Sequence, residues 1–305
     1  MRFSQSIIAL CAAAGIAGAA PTSAPLTKRA VTDADILNYA LTLEHLEDKF
    51  YREGLANFTE SDFAAAGYNS TFYANLKEIS SDETTHVSFL TKALTAAGAT
   101  PVDECTYAFG VTSVEMFVAT ASILEGVGVS AYLGAAADIM SKSYLTAAGS
   151  ILTVEARHSS YLRASLKESP FPQPFDTPLT INEVYTLAAA FITSCPTTNV
   201  ALPVKAFPSL VLDPTTTKPV KAGSVVTLLT PGYTLVPAAG SATVYAAFVS
   251  VTGPTFTVAT PVAGGFSVTI PTGFNGQSYA VLTACNETVN DDTTAAGPAI
   301  IEITN

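Results

Sequence analysis

Two of the chain's three histidines follow a glutamate at the same distance, in Glu83-Thr84-Thr85-His86 and Glu155-Ala156-Arg157-His158. On a helix, three-residue spacing sets the carboxylate and the imidazole on one face. Those two donor types together suit a divalent transition metal. One such frame alone also serves as a surface ion pair. Two of them, joined by two further glutamates on other helices, favour metal. The first of these is Glu125, the single charge within "FVATASILEGVGVSAYLGAAA" (117–137). An ionised glutamate in an apolar setting is costly unless it is paired or bound to a cation. By length the segment could cross a membrane, but its Ala, Gly and Ser content and its central carboxylate fit a buried bundle helix. The second is Glu44, in "LTLEHLEDKFYREGL".

The elements that must position these residues are long helices. The first is expected from about Asp33 to Ala56, and the second from about Ser70 to Ala97, stopping at Gly98. The third opens at Thr112-Ser-Val-Glu115, spaced as a capping box. The fourth covers about Ser141 to Lys167, and a fifth runs from a second box, Thr180-Ile-Asn-Glu183, to near Cys195-Pro196. Glu44 lies about 13 residues before the first helix ends and Glu83 about 13 after the second begins; Glu125 and Glu155 have about 12 and 14. At a rise of about 1.5 Å per residue, each antiparallel pair brings its acidic residues to matching depth within roughly 3 Å.

The chain also repeats itself. Glu44 is followed seven residues on by Tyr51, and Glu125 by Tyr132; each unit then supplies one E-x-x-H. Four carboxylates and two imidazoles converging mid-bundle are the ligand set of di-iron and di-manganese carboxylate proteins. On these motifs, residues 33–195 resemble the ferritin-like domain of secreted, desiccation- or stress-related proteins, including the fungal late-sexual-development type. "LTLEHLEDKFYREGL" is similar to that family's first-helix signature. The resemblance covers a little over half of the chain. It implies a ferritin-like four-helix bundle, two divalent metal ions (iron or manganese) and the ligands Glu44, Glu83, His86, Glu125, Glu155 and His158, with Glu83 and Glu155 as bridges. Glu47 shares the stripe of Glu44 and could replace or join it. Glu44 is preferred as ligand, because Tyr51 follows it as Tyr132 follows Glu125; Glu47 is then a surface charge or a partner to a histidine. His45 points off the stripe, toward solvent. Tyr51 and Tyr132 read first as packing residues.

Residues 201–305 follow another grammar. They are rich in Val, Thr, Gly and Pro, with five acidic and three basic residues. Short runs such as "SVVTLLT", "TVYAAFVSV" and "SYAVLTA" read as strands of a small β-sandwich. No cluster of His, Asp or Glu marks a site there. The fold class is thus α+β multidomain, a ferritin-like four-helix bundle with a fifth helix (30–197) followed by an all-β, sandwich-like domain (201–305).

The N-terminus, "MRFSQSIIALCAAAGIAGAA", has a basic start, a short apolar run and a small-residue cleavage site at 17–19. It reads as an export signal over residues 1–19, and Lys28-Arg29 as the end of a pro-peptide over 20–29. Sequons at Asn57, Asn69 and Asn286 fit a secreted glycoprotein, extracellular or cell-wall associated. Residues 1–29 hold three basic and no acidic residues, so their loss takes the formal charge from −11 to −14. Such acidity argues against nucleic acid or an anionic membrane as partner, and membrane insertion is not expected. Cys105, Cys195 and Cys285 then allow one disulfide, and Cys105–Cys195 is favoured because both fall at connections of the helical region. A buried centre of this kind would make the protein an oxidase, a ferroxidase or a peroxide consumer, acting on O₂ or peroxide. The alternative is a non-enzymatic secreted structural or stress-protective protein using the bundle as scaffold. An adhesive role for the β domain rests on architecture alone.

Overall fold

A computed structural model describes residues 3–7, 31–237 and 243–304. Six helices make up the first part: α1 (Asp33–Asn57), α2 (Glu60–Ala65), α3 (Ser70–Ala96), α4 (Val114–Ala135), α5 (Lys142–Ser165) and α6 (Ile181–Ala189). Their starts are fixed by side chains that take up otherwise unpaired N–H groups. Thr32 with Asp35, Thr59 with Asp62 and Thr180 with Glu183 form reciprocal capping boxes. Asn69, Ser113 and Ser141 cap α3, α4 and α5. The third helix therefore begins one residue later than its sequence suggests. Ser113 accepts the N–H of Met116, while Thr112 turns its hydroxyl to the Met116 sulfur. The last helix is shorter than expected: α6 stops at Ala189 because the chain extends into a strand before Cys195.

Among the described residues the strands are β1 (Phe3–Ile7), β2 (Thr106–Tyr107), β3 (Ile192–Ser194), β4 (Val211–Leu212), β5 (Val225–Leu229), β6 (Tyr233–Pro237), β7 (Val244–Phe248), β8 (Thr255–Val262), β9 (Gly265–Thr269), β10 (Gly276–Thr283) and β11 (Thr294–Ile303). β1 pairs in parallel with β6. The expected export signal and pro-peptide otherwise lie outside the described residues, and cleavage at 19 would remove β1 from its neighbour. β2 and β3 pair antiparallel beside the Cys105–Cys195 disulfide, the pairing favoured from sequence; Cys285 is buried.

Within the helical part, α1 packs on α3, α4 packs on α5, and α1 lies against α4. The α3–α4 connection is a crossover laid along α1. Asn38 accepts the Val102 N–H and donates to the Thr100 carbonyl, His45 Nε2 lies 3.1 Å from the Val102 carbonyl, and Glu104 pairs with Lys49 and Arg52. His45 is thus half-buried against this connection rather than turned to solvent. Where α1 ends and α4 begins, Phe50 and Phe117 stack at 4.9 Å. Gly54 makes room for that ring, since a Cβ there would sit 2.0 Å from it. Helix α4 and its 3-10 extension, Val114–Asp138, are long and apolar enough to span a membrane, yet 67% of the most apolar window is buried within the fold.

The C-terminal part departs from the sandwich expectation. Seven strands form one sheet in the order β11-β10-β7-β8-β9-β5-β4, every pair antiparallel, and it curls until β11 lies against β4. Its interior is filled by side chains such as Leu228, Phe248, Phe266, Leu282 and Ile301. Curling buries one face without a second sheet, which a period-two pattern alone does not distinguish from a sandwich. The β domain docks on α4 and α5. Tyr279 donates to the Gly126 carbonyl at 3.0 Å, Gln277 donates to that of Ile123 at 3.1 Å, and Arg163 forks onto Glu302 at 2.9 and 2.8 Å.

Candidate metal centre

Each inner helix carries its acidic residue near mid-length, and the packing brings all of them to one place. Glu44 on α1, Glu83 on α3, Glu125 on α4 and Glu155 on α5 are each fully buried, with His86 and His158 beside them. The donors fall into two groups that could hold a metal ion: Glu44, Glu83, His86 and Glu155, and then Glu83, Glu125, Glu155 and His158. Within a group the donor atoms all lie within 4.8 Å of one another. The six residues singled out in the sequence are thus brought together, and Glu83 and Glu155 belong to both groups.

Both imidazoles aim Nδ1 at the carboxylates. His86 Nδ1 lies 3.2 Å from Glu44 Oε2 and Glu83 Oε2, and 3.4 Å from Glu155 Oε1. His158 Nδ1 lies 3.2 Å from Glu125 Oε2 and 3.1 Å from Glu83 Oε1. On its far side, His158 Nε2 stands 3.2 Å from Asp82 Oδ2, a contact that orients the ring. Asp82 has no signal in the sequence, because its partner is 76 residues away. The two tyrosines hydrogen-bond across the repeat rather than within it. The Tyr51 hydroxyl donates to Glu125 at 2.5 Å, and the Tyr132 hydroxyl donates to Glu44. Each unit's tyrosine thereby holds one oxygen of the other unit's glutamate, leaving Oε2 for the centre. The repeat of Glu and Tyr was visible in the sequence; the exchange between units was not.

Several buried oxygens lack hydrogen bonds. Glu155 Oε1 and Oε2 and Glu83 Oε1 accept no hydrogen bond: the nearness of His86 to Glu155 Oε1 and of His158 to Glu83 Oε1 lacks hydrogen-bond geometry. Buried carboxylate oxygens without donors cost free energy, and a cation between them would remove that cost. Glu47, expected at the surface or beside a histidine, is also buried here. It reaches the centre through a gap in α4: a Cβ on Gly128 would sit 2.7 Å from Glu155 Oε2 and 3.1 Å from Glu47 Oε1. Gly128 holds the position relative to Glu125 that Glu47 holds relative to Glu44, so one half of the repeat supplies a carboxylate and the other the space for it.

Without a cation the cluster is electrostatically strained. Burial first, and then Glu155 and Glu83, push the Glu47 carboxyl well above its ordinary range. Burial and then Glu83 and Glu125 do the same to Glu155. Burial raises Glu83 to about 7, against the opposing pull of both histidines. Burial alone would lower the imidazoles, but the carboxylates outweigh it. His86 is driven far up by Glu155, Glu44 and Glu83, and His158 up to about 11 by Glu125 and Glu83. Five buried carboxylates thus share two imidazoles, and divalent cations would take over the charge that retained protons now offset.

Comparison with known proteins agrees with this geometry. Residues 32–168 match the family model of the ferritin-like domain, which covers the helices that carry all six donors. The chain is also 27% identical over 178 residues to protein rds1 of the fission yeast Schizosaccharomyces pombe. That match covers 58% of this chain and 44% of rds1, so the chain spans under half the length of the curated relative it matches. Together these support a ferritin-like family for the helical domain, with buried acid and histidine clusters able to hold metal.

Proposed function

We propose that the helical domain is a ferritin-like four-helix bundle that binds two divalent metal ions, iron or manganese. Glu44 and His86 would serve one ion, Glu125 and His158 the other, and Glu83 and Glu155 would bridge both. The observation that carries this reading is the overlap of the two donor groups at Glu83 and Glu155, the latter with both oxygens buried and without hydrogen bonds. Bound there, two redox-active ions would together supply the two electrons that reduction of O₂ to peroxide, or cleavage of peroxide, requires. The chain's own residues would hold that chemistry in place. Tyr51 and Tyr132 fix the terminal glutamates, Asp82 fixes His158, and the surrounding core excludes bulk water.

The reading extends to a secreted, extracellular or wall-associated oxidoreductase of the stress-related kind. Its support is the N-terminal signal-like sequence, the disulfide and three sequon asparagines that are all exposed. Elemental analysis of the untagged secreted protein tests it, beside the double variant Glu83→Ala/Glu155→Ala. About two iron or manganese atoms per chain, lost in the variant, is the expected result. Wild type that takes up no metal after anaerobic loading with Fe(II) or Mn(II) would refute the centre.

A further inference from the structure

A second feature adjoins the carboxylate cluster on the side where α1 meets α4. There a pocket of about 270 Å³ opens between the helical domain and the β domain. Leu43 and Leu46 of α1, Leu124 and Val127 of α4, and Leu187 of α6 form its helical walls. Leu210, Val211, Pro298 and Ile300 of the β domain close the opposite side. Glu47 and Gly128 also line it, the glycine being the one whose missing Cβ leaves room for the Glu47 and Glu155 carboxylates.

Two observations make this a binding site rather than a packing fault. Glu47 is only 4% exposed, lines the pocket, and makes no hydrogen bond among the described residues. Of the other polar lining, the Thr186 hydroxyl is committed elsewhere, donating to the Asn182 carbonyl and accepting the Phe207 N–H, and Ser209 is exposed to solvent. An apolar chamber with one uncommitted buried polar group in its lining suits a ligand that is apolar along its length and polar at one tip. A lined apolar cavity of about 150 Å³ holds one benzene. By the same ratio this pocket takes roughly ten non-hydrogen atoms. An anionic ligand would meet the buried carboxylates and be excluded.

We propose that this pocket binds a small, uncharged, largely apolar organic molecule, its one hydroxyl-type group turned to Glu47, as the substrate presented to the metal centre. The β domain then acts as the fourth wall of a substrate pocket, not as an appendage. That the bound molecule is a substrate rests on the metal-centre reading; that it binds does not.

The test uses the full secreted chain, metal-free and metal-loaded, with 2-naphthol, naphthalene and 2-naphthoate as probes followed by their fluorescence. Saturable binding of 2-naphthol is expected, at least tenfold tighter than 2-naphthoate, with naphthalene between them. Two variants fill the pocket away from the centre, Ala190→Trp from the exposed end of α6 and Ile300→Trp from β11. Each should weaken 2-naphthol at least tenfold while leaving metal content unchanged. Wild type that binds no probe, or both folded variants binding as wild type does, would overturn the proposal. Metal content of the same samples separates the two readings. Metal without naphthol binding refutes the pocket alone, and naphthol binding without metal refutes the centre alone.

Discussion

Replacing Glu155 by methionine should stabilise the metal-free protein while abolishing its response to metal. Glu155 is fully buried, and neither of its oxygens has a hydrogen-bond donor. Methionine keeps an unbranched side chain of similar length and removes both orphaned oxygens along with one member of the acidic cluster. Unsatisfied buried polar atoms cost about 1–3 kcal/mol each, and replacing buried charge by packed apolar groups typically gains about 1–4 kcal/mol. His86 keeps Glu44 and Glu83 as neighbours, so its loss is small. A gain of about 2–4 kcal/mol at pH 8 follows, equivalent to a rise of roughly 5–15 °C in the melting temperature of a domain this size. The gain should shrink as pH falls through 4.5, the unfolded value, because below it the carboxyl is protonated in the unfolded chain as well. Adding Fe(II) or Mn(II) at 100 times Kd should stabilise wild type by about 2.7 kcal/mol and leave the variant unmoved. Thermal melts followed by circular dichroism, with and without metal, read both effects. A metal-free variant melting at or below the wild-type temperature at pH 8 would refute the reasoning, because the protein alone would then be stabilising Glu155.

Stability of the metal-free protein should fall as pH rises. Glu83 holds its proton in the folded state up to about 7, so its stabilising contribution is complete below its unfolded value of 4.5 and is lost through pH 7, a change of roughly 3 kcal/mol. His158, raised to about 11, adds a loss of the same sign that begins above 6.5. Metal-loaded protein should show the opposite slope over pH 5–8, since binding requires deprotonated ligands; melts across that range compare the two. Gly128→Ala should leave the metal-free fold unchanged or up to about 1 kcal/mol more stable, from helix propensity. Its Cβ would displace the Glu155 carboxylate, so metal titration should show affinity reduced about 10–100-fold. Removing the disulfide as Cys105→Ala/Cys195→Ala opens a loop of 90 residues and should cost about 2–4 kcal/mol in urea unfolding, with metal content retained.

The helices and their donors were legible because the signals are local. Capping residues, a Gly at +73° in φ after α3, and three-residue Glu–His spacing all act within one or two turns. Errors arose where a local signal had a competitor nearby. Ser113 displaced Thr112 as cap, and the chain before Cys195 left the helix to pair with β2. Glu47 looked like a surface charge because its stripe does not reveal that Gly128, on another helix, leaves it a path inward.

By itself, the sequence determined which faces of four helices carry carboxylate and imidazole, at what depth, and that Glu125 needed a counter-charge. Periodicity and rise per residue are properties of a single chain segment, so they can be read before folding. Only the tertiary structure decided that Glu47 is buried, that each tyrosine holds the other unit's glutamate, that Asp82 orients His158, and that the β strands curl into one sheet against α4. Those relations join residues tens to more than a hundred positions apart. They are fixed by how faces pack, and no local pattern encodes the partner.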